Sequence, residues 1–462
     1  KKYNTDYESY GLSREKEIRK NELQNKFPHI VEKLKQEEEK YFYGMKLLES
    51  ENYYPYRRHK VNDRYPATET NLYKISTERF LQLLVNGGKL SIIVPDNMMT
   101  DIGSTGIRVL LFKKYDLKEC LSFDNKNGIF KSVDTRQRFA VMSVDKNPSI
   151  SSTFDAFFYK YSLDNLNHDN LKIKYSKAIV KEFEPEKLSL FEPRDIKEFD
   201  LYVHLRKKCN SLGNTRLLDF RIEYNAEKKY KPFVYDFGHP NGIPMLKGEF
   251  INQFKLVGVP IESFDRKTIS QKIGNDIKNY RISIRRNARP TDKRTLICTF
   301  LPPNFTASGS MLVQKDSDQM SLGERLFYLG IMNSYIMDFF LRKIIVKNVS
   351  QTFLDQLPIP SYHEFRDSFL ISRIVFTLLK YDKYHSEKYD DLTRGFGNEN
   401  LLSLDYDGLI ALLNAKVAIH FDLDRNQLIS LMKDFESPNH KQFVLLEAQR
   451  IIEVFDRLKE GE

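Results

Sequence analysis

One stretch, Asn71 to Phe139, limits the fold of this chain more than any other. Its first part places Leu72, Ile75, Phe80, Leu81, Leu83 and Leu84 at helical spacing and stops at Gly87-Gly88. An apolar run from Leu90 to Val94 follows and breaks at Pro95. Helix, paired-glycine stop, apolar strand and Pro-Asp exit make one αβ unit and predict a parallel sheet. In such sheets ligands gather just past the carboxyl ends of the strands, which here means Pro95, Asp96 and Asn97. A helix over about 106–115, a strand over 117–123, an Asn127-Gly128 turn and a strand over 139–144 complete the block.

At 462 residues the chain exceeds one ordinary core, so two or three domains are expected. The formal charge of +10 points to a polyanionic partner, with nucleic acid ahead of a membrane surface. Cys120, Cys209 and Cys298 lie far apart and form no CxxC pair. That spacing supports neither a thiol zinc site nor a disulfide framework, and it fits a reducing cytoplasm. No run of about 18 apolar residues is present, so no membrane partner is expected. No signal peptide opens the chain, and Lys1 in place of an initiator Met leads us to expect a natural start further upstream.

Four regions are expected. Residues 1–64 form a helical insertion, with Ile30, Val31, Leu34, Tyr41, Met45 and Leu48 at rough helical spacing. It ends in a loop carrying Tyr53, Tyr54, Tyr56, Arg57 and Arg58, which could stack on and neutralise nucleic acid or could equally be a packed loop. Residues 65–150 hold the αβ block, closed by Pro148, Ser149, Ser151 and Ser152. Residues 151–360 carry short β-prone runs, including 233–235 and 295–301, which suit an irregular mixed domain. Residues 361–462 are helical, with patterns near 369–381 and 406–421; a helix over 323–345 precedes them.

The strongest charge cluster is KNYRISIRRNARPTDKR, Lys278 to Arg294. Arg281, Arg285, Arg286, Arg289, Lys293 and Arg294 are faced in this window only by Asp292. A strand over 280–286 puts Arg281 and Arg285 on one face with Ser283, and Ile282, Ile284 and Arg286 on the other. Guanidinium forks fit phosphates and the guanine edge, so a DNA-contacting role is preferred to a solvated loop. A second cluster, IVKNVSQTFLDQLPIP, offers Lys347, Asn348, Ser350 and Gln351 at a helix-to-loop junction; alone it reads as a structural corner. No GxSxG elbow, HExxH, Walker loop or GxGxxG is present, and His204, His239 and His420 have no ligand-spaced partner, so no metal is expected. Glu184-Pro185-Glu186-Lys187 is only faintly nuclease-like, with no preceding strand to support it.

Several segments together resemble the large adenine-specific (N6) DNA methyltransferases of restriction-modification and phage-defence systems, especially the fused type IIG enzymes. Thr70 to Thr100 is similar to the helix and strand that follow their catalytic motif. DNKNGIFKSVDTRQRF, Asp124 to Phe139, resembles their DFENR-x-x-LF-x-x-VD-x-R-x-KF element. Lys247 to Phe254 and Arg285 to Pro303 look like their target-recognition domain, and Ile331 to Pro360 like its closing segment. The Tyr406 to Leu423 helix also has the family's carboxyl-terminal character.

The resemblance implies an α/β fold: part of a Rossmann-like methyltransferase sheet over 65–150, a mixed α+β DNA target-recognition domain over 151–360 and a helical carboxyl-terminal region. It also implies base flipping, double-stranded DNA as partner and S-adenosylmethionine as cofactor. Phe130 would pack against the flipped base, with Asp96 and Asn97 on the pocket rim. The Asn-Pro-Pro-aromatic tetrapeptide and the glycine-rich cofactor turn of that family are absent. Pro302-Pro303, the sole Pro-Pro, follows Leu301. The chemistry is therefore expected upstream of Lys1, with the cofactor bound mainly there and this chain inactive alone. The alternative is a stand-alone DNA-binding specificity subunit that pairs with a separate catalytic chain.

Overall fold

The computed structural model describes residues 22, 24–48, 53–61, 63, 65–66, 71–147, 151–225, 232–345, 348–382, 403–436 and 441–461. The chain divides into two compact units, 1–192 and 193–462. No helix among the described residues is long and apolar enough to cross a membrane.

In the first unit, helix α1 (Pro28–Leu48) precedes helix α2 (Leu72–Leu83) and strand β1 (Lys89–Pro95). Helix α3 (Thr105–Lys113), β2 (Asp116–Asp124), β3 (Arg138–Asp145), β4 (Thr153–Lys160), β5 (Ile173–Ser176) and α4 (Lys177–Phe183) follow. One five-stranded sheet has the order β1-β3-β2-β4-β5. The parallel sheet expected from the αβ unit is corrected here. Strand β3 lies antiparallel between β1 and β2, and only β2 and β4 pair in parallel. The cause is the 125–137 loop, which Asn125 ties back on itself so that β3 returns beside β2. The sheet also runs past the expected boundary at 150, because β4 and β5 extend it.

The apolar stripe of α2 does not all face inward. Ile75 and Leu81 are buried with Lys74, Thr77 and Glu78, while Leu72, Phe80 and Leu83 are exposed. The buried polar groups have partners: Lys74 bonds Asp101 at 3.0 Å, and Glu78 accepts from the Tyr56 backbone N–H at 3.1 Å. Arg108 on α3 is fully buried and donates to the carbonyls of Met98, Asp101 and Lys187. One guanidinium thereby serves three backbone acceptors at a corner of irregular chain, the Asp101 carbonyl also accepting from the Ser104 N–H at 3.1 Å.

The second unit opens with helix α5 (Ile196–Lys208). Strands β6 (Phe220–Arg221), β7 (Val234–Asp236), β8 (Gly242–Leu246), β9 (Ile251–Asn252), β10 (Lys255–Leu256) and β11 (Glu262–Asp265) follow, then helix α6 (Arg266–Ile273). Next come β12 (Arg281–Arg285), β13 (Cys298–Leu301), β14 (Thr306–Ala307) and β15 (Met311–Gln314). They form two four-stranded sheets, β14-β8-β11-β7 and β13-β12-β15-β6, and a β9–β10 hairpin. Helices α7 (Leu322–Met332), α8 (Tyr335–Ile344), α9 (Ser368–Lys380), α10 (Tyr406–His420), α11 (Arg425–Lys433) and α12 (Lys441–Glu460) complete the unit. This is a mixed α/β fold with several small sheets and a helical carboxyl-terminal region.

The single helix expected over 323–345 is two helices. Ser334 caps α8, and Asn333 turns its side chain away to bond the backbone of Cys298 on β13. A glycine sets the α7–α9 approach: a Cβ at Gly330 would lie 2.7 Å from Val375 and 2.9 Å from Ile371.

Candidate functional site

In the first unit, the carboxyl ends of β1 and β2 meet the start of β3. Pro95 closes β1, and the chain enters a 3₁₀ turn, Asp96–Met99. Arg138 opens β3 opposite Asp124, and Phe139 opposite Pro95 and Phe123. The Arg138 guanidinium bonds Asp96 at 2.7 Å and Glu192 at 2.8 Å, and lies 4.8 Å from the centre of the Tyr159 ring. The Tyr159 hydroxyl donates to Glu192 at 3.1 Å, and Ser122 donates to Asp96 at 3.3 Å.

One cation thus serves two carboxylates in a poorly hydrated place. Burial, reinforced by the Glu192 charge, pushes the Asp96 carboxyl up to about 6 despite Arg138 and the Ser122 hydroxyl. Burial disfavours the Arg138 guanidinium, but Glu192 and Asp96 outweigh it and hold the group charged. Burial and then Glu192 raise the Tyr159 phenol, which stays protonated and able to donate.

Beside this network lies an aromatic floor. Phe123 and Phe139 stack at 5.4 Å, Phe157 meets Phe123 edge-on at 5.2 Å, and Phe130 meets Phe139 edge-on at 4.7 Å. Phe130 is 36% exposed while Phe123 is fully covered, so Phe130 is the rim of the floor. Buried Asn125 fixes it there. Its amide oxygen accepts from the Phe130 N–H at 2.8 Å, and its amide nitrogen donates to the carbonyls of Phe130 and Val133, each at 3.1 Å. Gly128, at φ 67°, supplies the left-handed turn that this closure needs.

Phe130 packs on Phe139, the residue that follows Arg138, and Arg138 in turn holds Asp96. Asp96 itself is buried and engaged, and Asn97 is exposed on the turn beside it. Arg138, Glu192, Tyr159 and Asn125 were missed in the sequence. Arg138 did carry a signal, standing in the TRQRF segment already singled out. Glu192 carried none, since it arrives from beyond β5.

Two arginines of the basic segment in the second unit, Arg281 and Arg294, are held in buried ion pairs and so present no free guanidinium to DNA. Arg281 is fully buried, paired with Glu223 and bonded to the Phe305 carbonyl at 2.5 Å. Thr306 and Ala307 also donate to Glu223. Arg294 is buried against Asp338 at 2.6 Å and lies 4.0 Å from the centre of the Tyr335 ring. Strand β12 is covered on both faces, so alternation could not sort inward from outward arginines.

Arg286 is half-buried and donates to the Gly309 carbonyl at 2.5 Å. Arg285 is half-buried with Asp292 4.0 Å away, Lys293 is half-buried, and Arg289 is exposed. In the second cluster, Asn348 is exposed and bridges Asn287, while Ser350 is half-buried. Gln351 is spent on the Phe220 N–H and the Asp355 carboxylate. Lys347 lies outside the described residues. Arg285, Arg286, Asn287, Arg289 and Asn348 thus lie at the carboxyl end of β12 and along its exit loop.

Among the described residues no group of three His, Cys, Asp or Glu is placed to hold a metal ion. Cys120 and Cys298 are buried free thiols, and Cys209 is a half-buried one.

Comparisons with known proteins bear on the same segments. None of the curated proteins matches the chain. Among solved structures it is similar to the type IIL restriction-modification enzyme MmeI in complex with DNA, at 10% identity and TM-score 0.41, over 84% of this chain and 52% of that one. It is also similar to the type IIG restriction endonuclease BpuSI, at 12% identity and TM-score 0.29, over 85% of this chain and 50% of that one. A nuclease-deletion mutant of the type ISP restriction-modification enzyme LlaGI in complex with a DNA substrate mimic matches at 11% identity and TM-score 0.35, over 66% and 36%. The chain spans about half the length of the first two. Residues 13–130, from the amino-terminal region to the rim phenylalanine, match the family model of the Eco57I restriction-modification methylase.

Proposed function

We propose that this chain is the downstream half of a site-specific DNA (adenine-N6) methyltransferase, or of a fused type IIG-like restriction-modification enzyme. In that enzyme it supplies target recognition and part of the pocket for a flipped base. The observation that carries the reading is a coincidence of sequence and geometry. The methylase family match runs through β1 and β2 and ends at Phe130, the ring that Asn125 holds at the rim of the strand-end site.

An adenine inside a duplex cannot present its N6, so it must leave the stack at a cost of a few kcal/mol. An aromatic rim returns part of that as stacking, about 1–3 kcal/mol per base. Phe130 is available for this. The Asp96–Arg138–Glu192 network acts at one remove, by fixing the strand end that carries Phe139, on which the Phe130 ring packs.

S-adenosylmethionine supplies the methyl group in methylases. The described residues at the strand ends do not fit a binding site for it. The exits of β1 and β2 carry Pro95-Asp96 and Asp124-Asn125 rather than a glycine-rich turn, and Asp96 is engaged by Arg138 and Ser122. The chain alone is expected to be inactive.

In the second unit, Arg285, Arg286, Arg289, Asn287 and Asn348 are the groups available for duplex DNA, with Ser350 beside them. Two assays test the reading. The purified chain should bind duplex DNA with a salt-dependent affinity and transfer no labelled methyl group to a mixed-sequence DNA pool. Methyl transfer by the chain alone, or no DNA binding at low salt, overturns it.

A further inference from the structure

The tyrosine-rich segment before α2 is held against the first unit at three points. The Tyr56 backbone N–H donates to buried Glu78 at 3.1 Å, and Gln82 donates to the Tyr53 carbonyl at 2.9 Å. Gly106 on α3 admits the strap at its closest point, since a Cβ there would lie 1.9 Å from the Tyr56 carbonyl oxygen. Glu78 has an oxygen with no hydrogen-bond partner, and burial raises its carboxyl although Tyr56 and Arg57 oppose this. The contact is therefore made at a cost, which a solvated loop has no reason to bear.

What the strap presents is cationic and aromatic. Arg58 and Lys60 are exposed, and both approach the Tyr65 ring, at 5.4 and 5.6 Å. Exposed Lys114, at the end of α3, lies 5.3 Å from the centre of the Tyr56 ring, and Lys113 is exposed beside it. None of these four cations makes an ion pair with a described residue. Tyr53 and Tyr65 are 61% and 48% exposed.

We propose that this strap, Arg58, Lys60, Lys113 and Lys114 with Tyr53 and Tyr65, is a second nucleic-acid contact surface that takes the phosphate backbone. It rests on the DNA-binding part of the reading above and concerns a different unit from the carboxyl end of β12. Ammonium and guanidinium groups without carboxylate partners can neutralise phosphates and release counterions. Exposed phenol rings offer stacking faces that do not depend on sequence. A membrane surface fits less well, because the exposed apolar groups of the strap are tyrosines on a loop rather than the apolar face of an amphipathic helix.

The test compares the full chain with an Arg58→Ala/Lys60→Ala/Lys114→Ala variant, binding a 30-base-pair mixed-sequence duplex across a salt series. At roughly 0.9 of a slope unit per phosphate contact, the variant should lose about two to three units of salt dependence. Its affinity near 0.1 M salt should fall by about tenfold or more. Tyr53→Ala should weaken binding with the slope unchanged.

Arg289→Ala in the second unit is the comparator. If the triple variant binds like the parent while Arg289→Ala binds more weakly, the strap proposal is overturned and the functional reading stands. If the parent binds no duplex at any salt, both are overturned. Capture of the parent, but not the triple variant, by vesicles one-third phosphatidylserine in preference to DNA overturns the assignment to nucleic acid. All the substituted side chains are exposed or at the rim, and an unchanged melting temperature would exclude unfolding as the cause.

Discussion

At the residue scale, charge in this protein is divided between groups that hold the fold and groups that are free to act. Arg281 and Arg289 stand eight positions apart in one basic run and belong to opposite classes. Arg281→Ala strands the Glu223 carboxylate in the interior, so about 3–5 kcal/mol of stability should be lost in urea unfolding. Arg289→Ala should cost under about 0.5 kcal/mol and weaken DNA binding instead. The sequence could not separate them, because the partner of Arg281 lies 58 positions away. Asp96 gives a pH prediction whose sign follows from its raised carboxyl. Protonation is favoured in the folded protein, so this contribution is full below the ordinary value of 3.8 and is lost as pH rises through about 6. Asp96→Asn should flatten the dependence of stability on pH between about 4 and 6.5. At about 1.4 kcal/mol per pH unit the difference can reach about 3 kcal/mol. Parallel curves for parent and variant in urea titrations at several pH values would exclude this role.

At the element scale, the strand and helix positions of the first unit were legible from apolar runs and glycine stops. The strand expected over 117–123 is Asp116–Asp124, and that over 139–144 is Arg138–Asp145. Strand direction was not legible, because it depends on how the 125–137 loop closes and that rests on one buried amide. Asn125→Ala should therefore leave the sheet folded and speed hydrogen exchange across 126–137. The site was legible only in part. A strand end marks Asp96 and a family resemblance marks Phe130, both as proposed site residues, whereas Glu192 is brought in by long-range folding. The break between α7 and α8 has a similar origin. Asn333 and Asp338 read as ordinary helix positions, yet together they satisfy the backbone N–H groups of Thr295, Leu296 and Cys298. Asp338→Ala removes acceptors from two buried N–H groups and the partner of Arg294, and should cost about 3 kcal/mol or more.

At the scale of the whole molecule, the two units have separate cores, with clusters such as Leu121, Phe123, Phe139 and Phe157 in one and Ile243, Phe264 and Ile269 in the other. Damage from Asp338→Ala should stay in the second unit. Hydrogen exchange followed by mass spectrometry should show faster exchange in β12, β13 and α8, with the β2–β3 amides unchanged. The sheet order carries one more consequence. Among the described residues, strand β1 pairs only on its β3 side, and Ile93 on it is 56% exposed, within the family-matched segment. Its free row of backbone groups is guarded by a single charge, Lys89, so the isolated chain carries a template for unwanted self-association. Ile93→Lys should raise the concentration at which the protein stays dispersed, and light scattering would measure how much of its solubility that one edge controls.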